Sequence, residues 1–221
     1  MSAPQQSLWN ADYFNAWRRF EEGPGKEQLQ LLDKEVVRQF HPGDRVLQFC
    51  SGTGRLAEQL AFAHSRLRAT CVECNSEMVA YAKRTRPNDI DFIQADARLY
   101  RPATGFYDAV ILSALHLLDD FSLGILLEKA CHALAPNGAI LLTTDMPERL
   151  ATAKGVKVPP DDQTLPLDTS WDGAREVSYL RSDLRIRALL RILCGVDVQY
   201  RDEVALPDGT PGYKFYLAHR P

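Results

Sequence analysis

The stretch that most constrains the fold is "RVLQFCSGTGRLAEQLA", residues 45 to 61. An apolar run breaks into a small turn bearing Gly52 and Gly54, and apolar residues then resume at helical spacing. A strand, a glycine turn and a helix in this order open a βαβ unit. Glycine lets the backbone approach a ligand closely, and the helix start offers free N–H groups. The same rhythm continues downstream. "RATCVE" reads as a strand and "SEMVAYAKR" as a helix. "DFIQA" and "YDAVILSAL" read as strands, residues 120 to 134 as a helix closed by "APNG", and "AILLTTD" as a further strand. This alternation predicts an α/β fold with a parallel sheet covered on both faces.

The flanks read differently. Residues 7 to 22 and 26 to 40 have helical periodicity, and residues 1 to 25 are expected to form an N-terminal helical cap. Residues 147 to 174 are rich in Pro, Asp, Thr and Gly, and read as an irregular insertion near the substrate mouth. "REVSYL" predicts a short strand and residues 182 to 194 a helix. "VDVQYRDEVAL", "PDGTPG" and "YKFYLAHR" predict a closing hairpin. With 221 residues and no internal repeat, the chain 1–221 is expected to be a single domain.

A net charge of −3 gives no whole-chain positive field, so nucleic acid is not an expected partner. No run approaches the roughly 20 apolar residues of a membrane helix. "MSAPQQSLWNADYF" lacks the charged start and apolar block of a signal peptide, so a soluble cytoplasmic protein is expected. The five cysteines, Cys50, Cys71, Cys74, Cys131 and Cys194, are odd in number and irregularly spaced, which speaks against a disulfide framework and fits a reducing compartment. Cys71 and Cys74 form a lone CxxC with no second pair, so no metal site is expected.

Glu73 ends the strand that follows the glycine turn. A carboxylate there can accept hydrogen bonds from both hydroxyls of a ribose. Two cofactors compete for this turn. "GTGRLA" fits the dinucleotide pattern, and S-adenosylmethionine is the other candidate. "FIQADA" ends a third strand with Asp96 and Ala97, where an acid can accept from an adenine amino group and the next N–H can serve a ring nitrogen. No Tyr-x-x-x-Lys is present, and the closing hairpin is not a second mononucleotide half.

On "VLQFCSGTG", "CVECNSEMVAYAK", "FIQADA", "YDAVILSALHLL", "LAPNGAILLT" and the closing hairpin, residues 30 to 220 resemble the class I S-adenosylmethionine-dependent methyltransferases. The resemblance implies a doubly wound, seven-stranded, mostly parallel sheet whose last strand is antiparallel. It implies methyl transfer to a small-molecule acceptor through an oxygen, nitrogen or carbon nucleophile. Gln48, Cys50, Ser51, Gly52, Gly54, Glu73, Cys74, Met78, Asp96, Ala97 and Ser113 form the implied cofactor set. Met78 either covers the adenine or packs in the core. His116, in "SALHLLDD" after the fourth strand, is the implied general base or a residue that shapes the pocket. Tyr13, Trp17, Trp171 and Tyr179, together with His116, are candidate acceptor contacts. Arg181, Arg185, Arg187 and Arg191 read as a solvated helix face.

Two positions depart from the family pattern. The first motif usually carries an acid that orders the glycine loop; here Gln48 stands there, and it accepts hydrogen bonds without charge. Cys50 stands in place of a glycine, which strains the loop only if its φ is positive. These departures keep a second expectation open, a methyltransferase-like binding or scaffold protein without transfer activity. A nicotinamide oxidoreductase is the more distant alternative. No Asn/Asp-Pro-Pro-aromatic motif follows the fourth strand, which argues against exocyclic base amines as acceptors. The sequence leaves the oligomeric state open.

Overall fold

The computed structural model describes residues 11–23, 25–145, 155–157, 159, 163–171, 174–205 and 211–220. Its strands form a seven-stranded sheet in the order β3-β2-β1-β4-β5-β9-β8, with a separate two-stranded sheet of β6 and β7. The chain divides into two compact units, residues 1–100 with 168–177, and residues 101–167 with 178–221.

In the first unit, α1 (Ala11–Glu22) buries Tyr13, Phe14, Ala16 and Glu21. Helix α2 (Lys26–Val37) buries Leu29, Leu32, Asp33 and Val36, the i, i+3, i+4, i+7 stripe of an amphipathic helix. Strands β1 (Arg45–Phe49), β2 (Arg68–Glu73) and β3 (Ile90–Gln94) are parallel, with Phe49 beside Val72 and Glu73 beside Gln94. Their carboxyl ends therefore lie level, and the loops that follow open on the same edge. Val46, Leu47, Phe49 and Leu60 are inaccessible to solvent. Each such side chain contributes about 2 kcal/mol of transfer free energy. Helix α3 (Arg55–Ala63) starts after Gly54 without a side-chain cap. Helix α4 (Ser76–Thr85) is capped by Asn75, which accepts from the N–H groups of Glu77 and Met78.

In the second unit, β4 (Tyr107–Leu112) leads through a short 3₁₀ turn (Leu115–Leu117) into α5 (Asp120–Ala133). Asp119 caps α5 by accepting from Ser122 N–H at 2.7 Å. Strand β5 (Leu134–Asp145) begins directly at the helix end. "APNG" is therefore not a turn that closes the helix. It is a bulge inside the strand, where the register with β4 jumps between Tyr107–Leu134 and Ala109–Ala139. Asn137 takes φ 63° in this bulge. A Cβ at Gly138 would lie 2.9 Å from the Ala135 carbonyl oxygen, so a side chain there is excluded.

β6 (Thr164–Trp171) and β7 (Ala174–Arg181) pair as a ribbon. The expectation of an irregular 147 to 174 segment is thus corrected over 164 to 171; residues 146–154, 158, 160–162 and 172–173 lie outside the described residues. Helix α6 (Asp183–Cys194) is capped by Ser182 and stops at Gly195 with φ 65°. β8 (Val198–Ala205) and β9 (Pro211–His219) pair antiparallel, and β9 also runs antiparallel to β5. The hairpin and the reversed last strand are as expected, while the turn at 206–210 lies outside the described residues.

The reading against disulfides is also corrected, at one pair. Cys131 on α5 and Cys194 on α6 are joined by a disulfide with their Cα atoms 5.7 Å apart. Packing of α5 on α6 brings together two residues 63 apart in the chain, which spacing rules do not see. Cys50, Cys71 and Cys74 are free thiols. Among the described residues no helix is long and apolar enough to cross a membrane.

Candidate functional site

The loop after β1 is built from left-handed residues: Cys50 at φ 56°, Gly52 at 58° and Gly54 at 74°. The two glycines are required for different reasons. A Cβ at Gly54 would lie 2.4 Å from the Phe92 ring, so the helix start packs directly on β3. A Cβ at Gly52 would meet nothing nearer than Trp17 Nε1 at 3.9 Å and Met78 Sδ at 4.0 Å. Its constraint is conformational, and space is left above its backbone. Cys50 pays the left-handed penalty that glycine avoids, on the order of 1–2 kcal/mol.

Glu73 closes this loop from β2. Its Oε2 accepts from Gly52 N–H at 2.9 Å. Its Oε1 accepts from the N–H groups of Cys74 at 2.9 Å and Asn75 at 3.0 Å, and from the Cys74 thiol at 3.3 Å. Oε2 accepts only one of these bonds, and its second lone pair is left for a further donor. Burial and the neighbouring Glu73 carboxylate push the Cys74 thiol far above its ordinary value. Burial, reinforced by Glu73 and Asp96 and opposed by Arg98, does the same to Cys50. Both sulfurs are neutral S–H groups and neither is a nucleophile at neutral pH.

Gln48 is buried on β1, with its Oε1 4.0 Å from the Cys71 sulfur. The Ser51 hydroxyl, next to Cys71, is buried and makes no hydrogen bond of normal geometry. At the end of β3, Asp96 is engaged by Arg98 on both oxygens. Arg98 Nε lies 3.0 and 3.1 Å from them, Nη2 lies 2.6 Å from Oδ2, and the Arg98 N–H donates to Oδ1 at 2.9 Å. Ala97 beside it is buried.

Thr53, between the two glycines, is held from outside the βαβ unit. Its hydroxyl donates to Glu21 Oε2 at 2.7 Å, and its carbonyl accepts from Arg86 Nε at 3.1 Å. Arg86 also reaches Glu58 at 2.7 Å and Glu21 at 3.3 Å. Arg55 lies 3.5 Å from Glu21 and pairs closely with Asp33.

In the second unit the loop after β4 carries Ser113, left-handed Ala114 at φ 57°, and half-buried His116 within the 3₁₀ turn. Arg181, only 2% exposed, donates through Nη1 to the Leu115 carbonyl at 3.0 Å and through Nη2 to the Leu118 carbonyl. Its Nε donates to Asp120 Oδ1 at 2.7 Å. Asp120 also accepts from Arg185 at 2.7 Å and from Thr164 Oγ1 at 2.9 Å. Burial raises the Asp120 carboxyl, but hydrogen bonds from Arg185, Arg181 and Thr164 outweigh it and hold the group below its ordinary value. The Arg181 guanidinium lies 5.7 Å from the Tyr179 ring centroid. The expected solvated arginine face is therefore corrected for two members: Arg181 ends β7 and is buried, and Arg185 is half-buried. Arg187 and Arg191 are exposed.

Residues 46–138 match a family model described as a methyltransferase domain. The demethylmenaquinone methyltransferase of Renibacterium salmoninarum is 39% identical to the chain over 72 residues, covering 33% of this chain and 29% of that protein. The match thus spans under a third of the length of this curated relative. The fold is shared more widely. A magnesium protoporphyrin IX methyltransferase from Synechocystis PCC 6803 aligns at TM-score 0.71 and 18% identity over 98% of both chains. A putative S-adenosylmethionine-dependent methyltransferase from Listeria monocytogenes aligns at TM-score 0.69 and 15% identity, over 86% of this chain and 98% of that one.

Within the matched stretch, the glycine loop, Glu73 and Cys74 converge directly. Trp17 and Met78 approach Gly52 from α1 and α4. Met78 and Tyr13 are buried, and Trp17 is half-buried with its ring 5.8 Å from Phe20. Trp171 ends β6, and its side chain lies outside the described residues. Sequence reasoning missed Glu21, Thr53, Arg86, Arg98 and Asp120. Only the acid–Ala–Arg run at 96 to 98 offered a local signal; the other contacts join residues dozens of positions apart.

Proposed function

We propose that the chain is an S-adenosylmethionine-dependent methyltransferase acting on a small-molecule acceptor. The observation that carries this reading is the joined pair of the glycine loop and Glu73, linked by the 2.9 Å bond from Gly52 N–H. The residues fit the cofactor: open backbone at Gly52, an unbonded buried hydroxyl on Ser51, and acids at the ends of β2 and β3. When bound, S-adenosylmethionine supplies an electrophilic methyl group that passes in line to a nucleophile. Glu73 orients the ribose hydroxyls, Asp96 and Ala97 receive the adenine edge, and the loop from Gln48 to Gly54 holds the amino-acid end. His116 takes the proton of an acceptor that starts protonated. Trp17 and Tyr179 contribute apolar contact area, and the cap at 1–25 and the segment at 147–174 serve acceptor choice. Relatives named for demethylmenaquinone and for magnesium protoporphyrin IX support a small acceptor.

Calorimetry with S-adenosylhomocysteine tests the reading. Binding that Glu73→Ala abolishes is expected; no heat at millimolar ligand would sink it. A second reading, a methyltransferase-like binding protein without transfer, is favoured by the Arg98 side chain already paired with Asp96. It requires no rise in melting temperature with either S-adenosyl compound.

A further inference from the structure

The glycine loop follows an uncharged Gln48 on β1 and carries a left-handed residue, Cys50. We propose that Glu21 and Arg86 are positioning residues for this loop, acting through Thr53, so that the ordering carboxylate is supplied by α1 instead of β1. The inference deepens the cofactor reading given above.

The geometry is specific. Thr53 is 2% exposed and sits between the two residues whose backbone would face the ligand. Glu21 accepts its hydroxyl proton at 2.7 Å, and Arg86 donates to its carbonyl at 3.1 Å. One contact fixes the Thr53 side chain and the other fixes its peptide plane. The peptide between Thr53 and Gly54 therefore cannot rotate, and the N–H of Gly54 stays aimed at the Ser51 carbonyl, 3.1 Å away. The clamp itself is fixed. Arg86 is tied to Glu58 at 2.7 Å, and Arg55 at the head of α3 lies 3.5 Å from Glu21. Both carboxylate oxygens of Glu21 are engaged, one by Thr53 and one by the two arginines. These groups are 9% to 18% exposed, so water competes weakly for them. Because α1 also brings Trp17 to 3.9 Å from a Cβ position at Gly52, docking of α1 and order in the loop are one event.

Two measurements on the full chain decide the matter. Hydrogen–deuterium exchange is followed over the peptide covering residues 50 to 60, without ligand. S-adenosylhomocysteine affinity is measured alongside melting temperature. Thr53→Val and Arg86→Lys are expected to speed exchange of the loop amides and to weaken affinity about tenfold, the usual scale for a hydrogen bond to a charged group. Thr53→Ser, which keeps the hydroxyl, should restore both. Asp33→Asn removes an ion pair of the same cluster that does not touch Thr53, and should lower melting temperature with affinity unchanged. If Thr53→Val leaves loop exchange as in the wild type, the clamp is refuted, whether or not the ligand binds. If the wild type binds S-adenosylhomocysteine and Thr53→Val binds it within twofold, the positioning role is refuted. Failure of the wild type to bind overturns the cofactor reading instead, and the exchange data still judge the clamp.

Discussion

The loops after β1 and β4 solve one problem in two ways. Each must turn a chain sharply at the carboxyl end of a strand, and each contains a left-handed residue other than glycine, Cys50 at φ 56° and Ala114 at φ 57°. Each is gripped at its carbonyl oxygens by an arginine distant in the chain: Arg86 on Thr53, and Arg181 on Leu115 and Leu118. The difference lies in what the grip leaves available. The first loop spends its side-chain hydroxyl on Glu21 and leaves backbone room above Gly52. The second is gripped by Arg181 at two carbonyls, those of Leu115 and Leu118. Strain of this kind persists where the surroundings over-determine the backbone.

The comparison can be broken at its strongest point. Arg181→Met should cost about 3 kcal/mol, because it takes the donor from two loop carbonyls and removes one of the three groups that donate to Asp120; urea denaturation would read it. Gly54→Ala comes next, at about 2–3 kcal/mol, since it adds a clash with Phe92 to an unfavourable φ. A loss below 1 kcal/mol would mean that Phe92 rotates away. The acid limb separates the two clamps further. Asp120 has its folded pKa below the unfolded value of about 4. Its stabilisation is therefore fully present above that unfolded value and is lost as pH falls through the folded one. The stability gap between wild type and Asp120→Asn should be constant from pH 5 to 8 and narrow below pH 4. The smallest effect belongs to Cys50→Gly. Relief of left-handed strain and extra freedom in the unfolded chain nearly cancel, leaving less than about 1 kcal/mol in either direction.

Much of this fold is legible in the order of residues. "RATCVE" is β2 residue for residue, so Glu73 stands at the strand end where the sequence places it. Period two and period 3.6 are local properties, and so are caps. The errors arose where local signals have two meanings. Pro136 and Gly138 punctuate turns, but they also build the bulge that opens β5. Pro166 and Asp168 read as loop, yet an edge ribbon tolerates both. The clamps were not legible at all, because Glu21 and Arg86 lie 65 residues apart and neither belongs to a recognisable motif. The sign of φ at Cys50 was a question the sequence could pose but not answer.

Arg98 gives the proposed adenine site an unusual dependence on its own resting state. Its guanidinium spans both oxygens of Asp96, at a pair only 16% and 22% exposed. A ligand amino group that uses this carboxylate draws on the fraction of molecules in which the pair has loosened. Apparent affinity is the intrinsic affinity scaled by that fraction. A pair this shielded is screened only weakly by salt, so that fraction is set by the protein's own packing rather than by ionic strength.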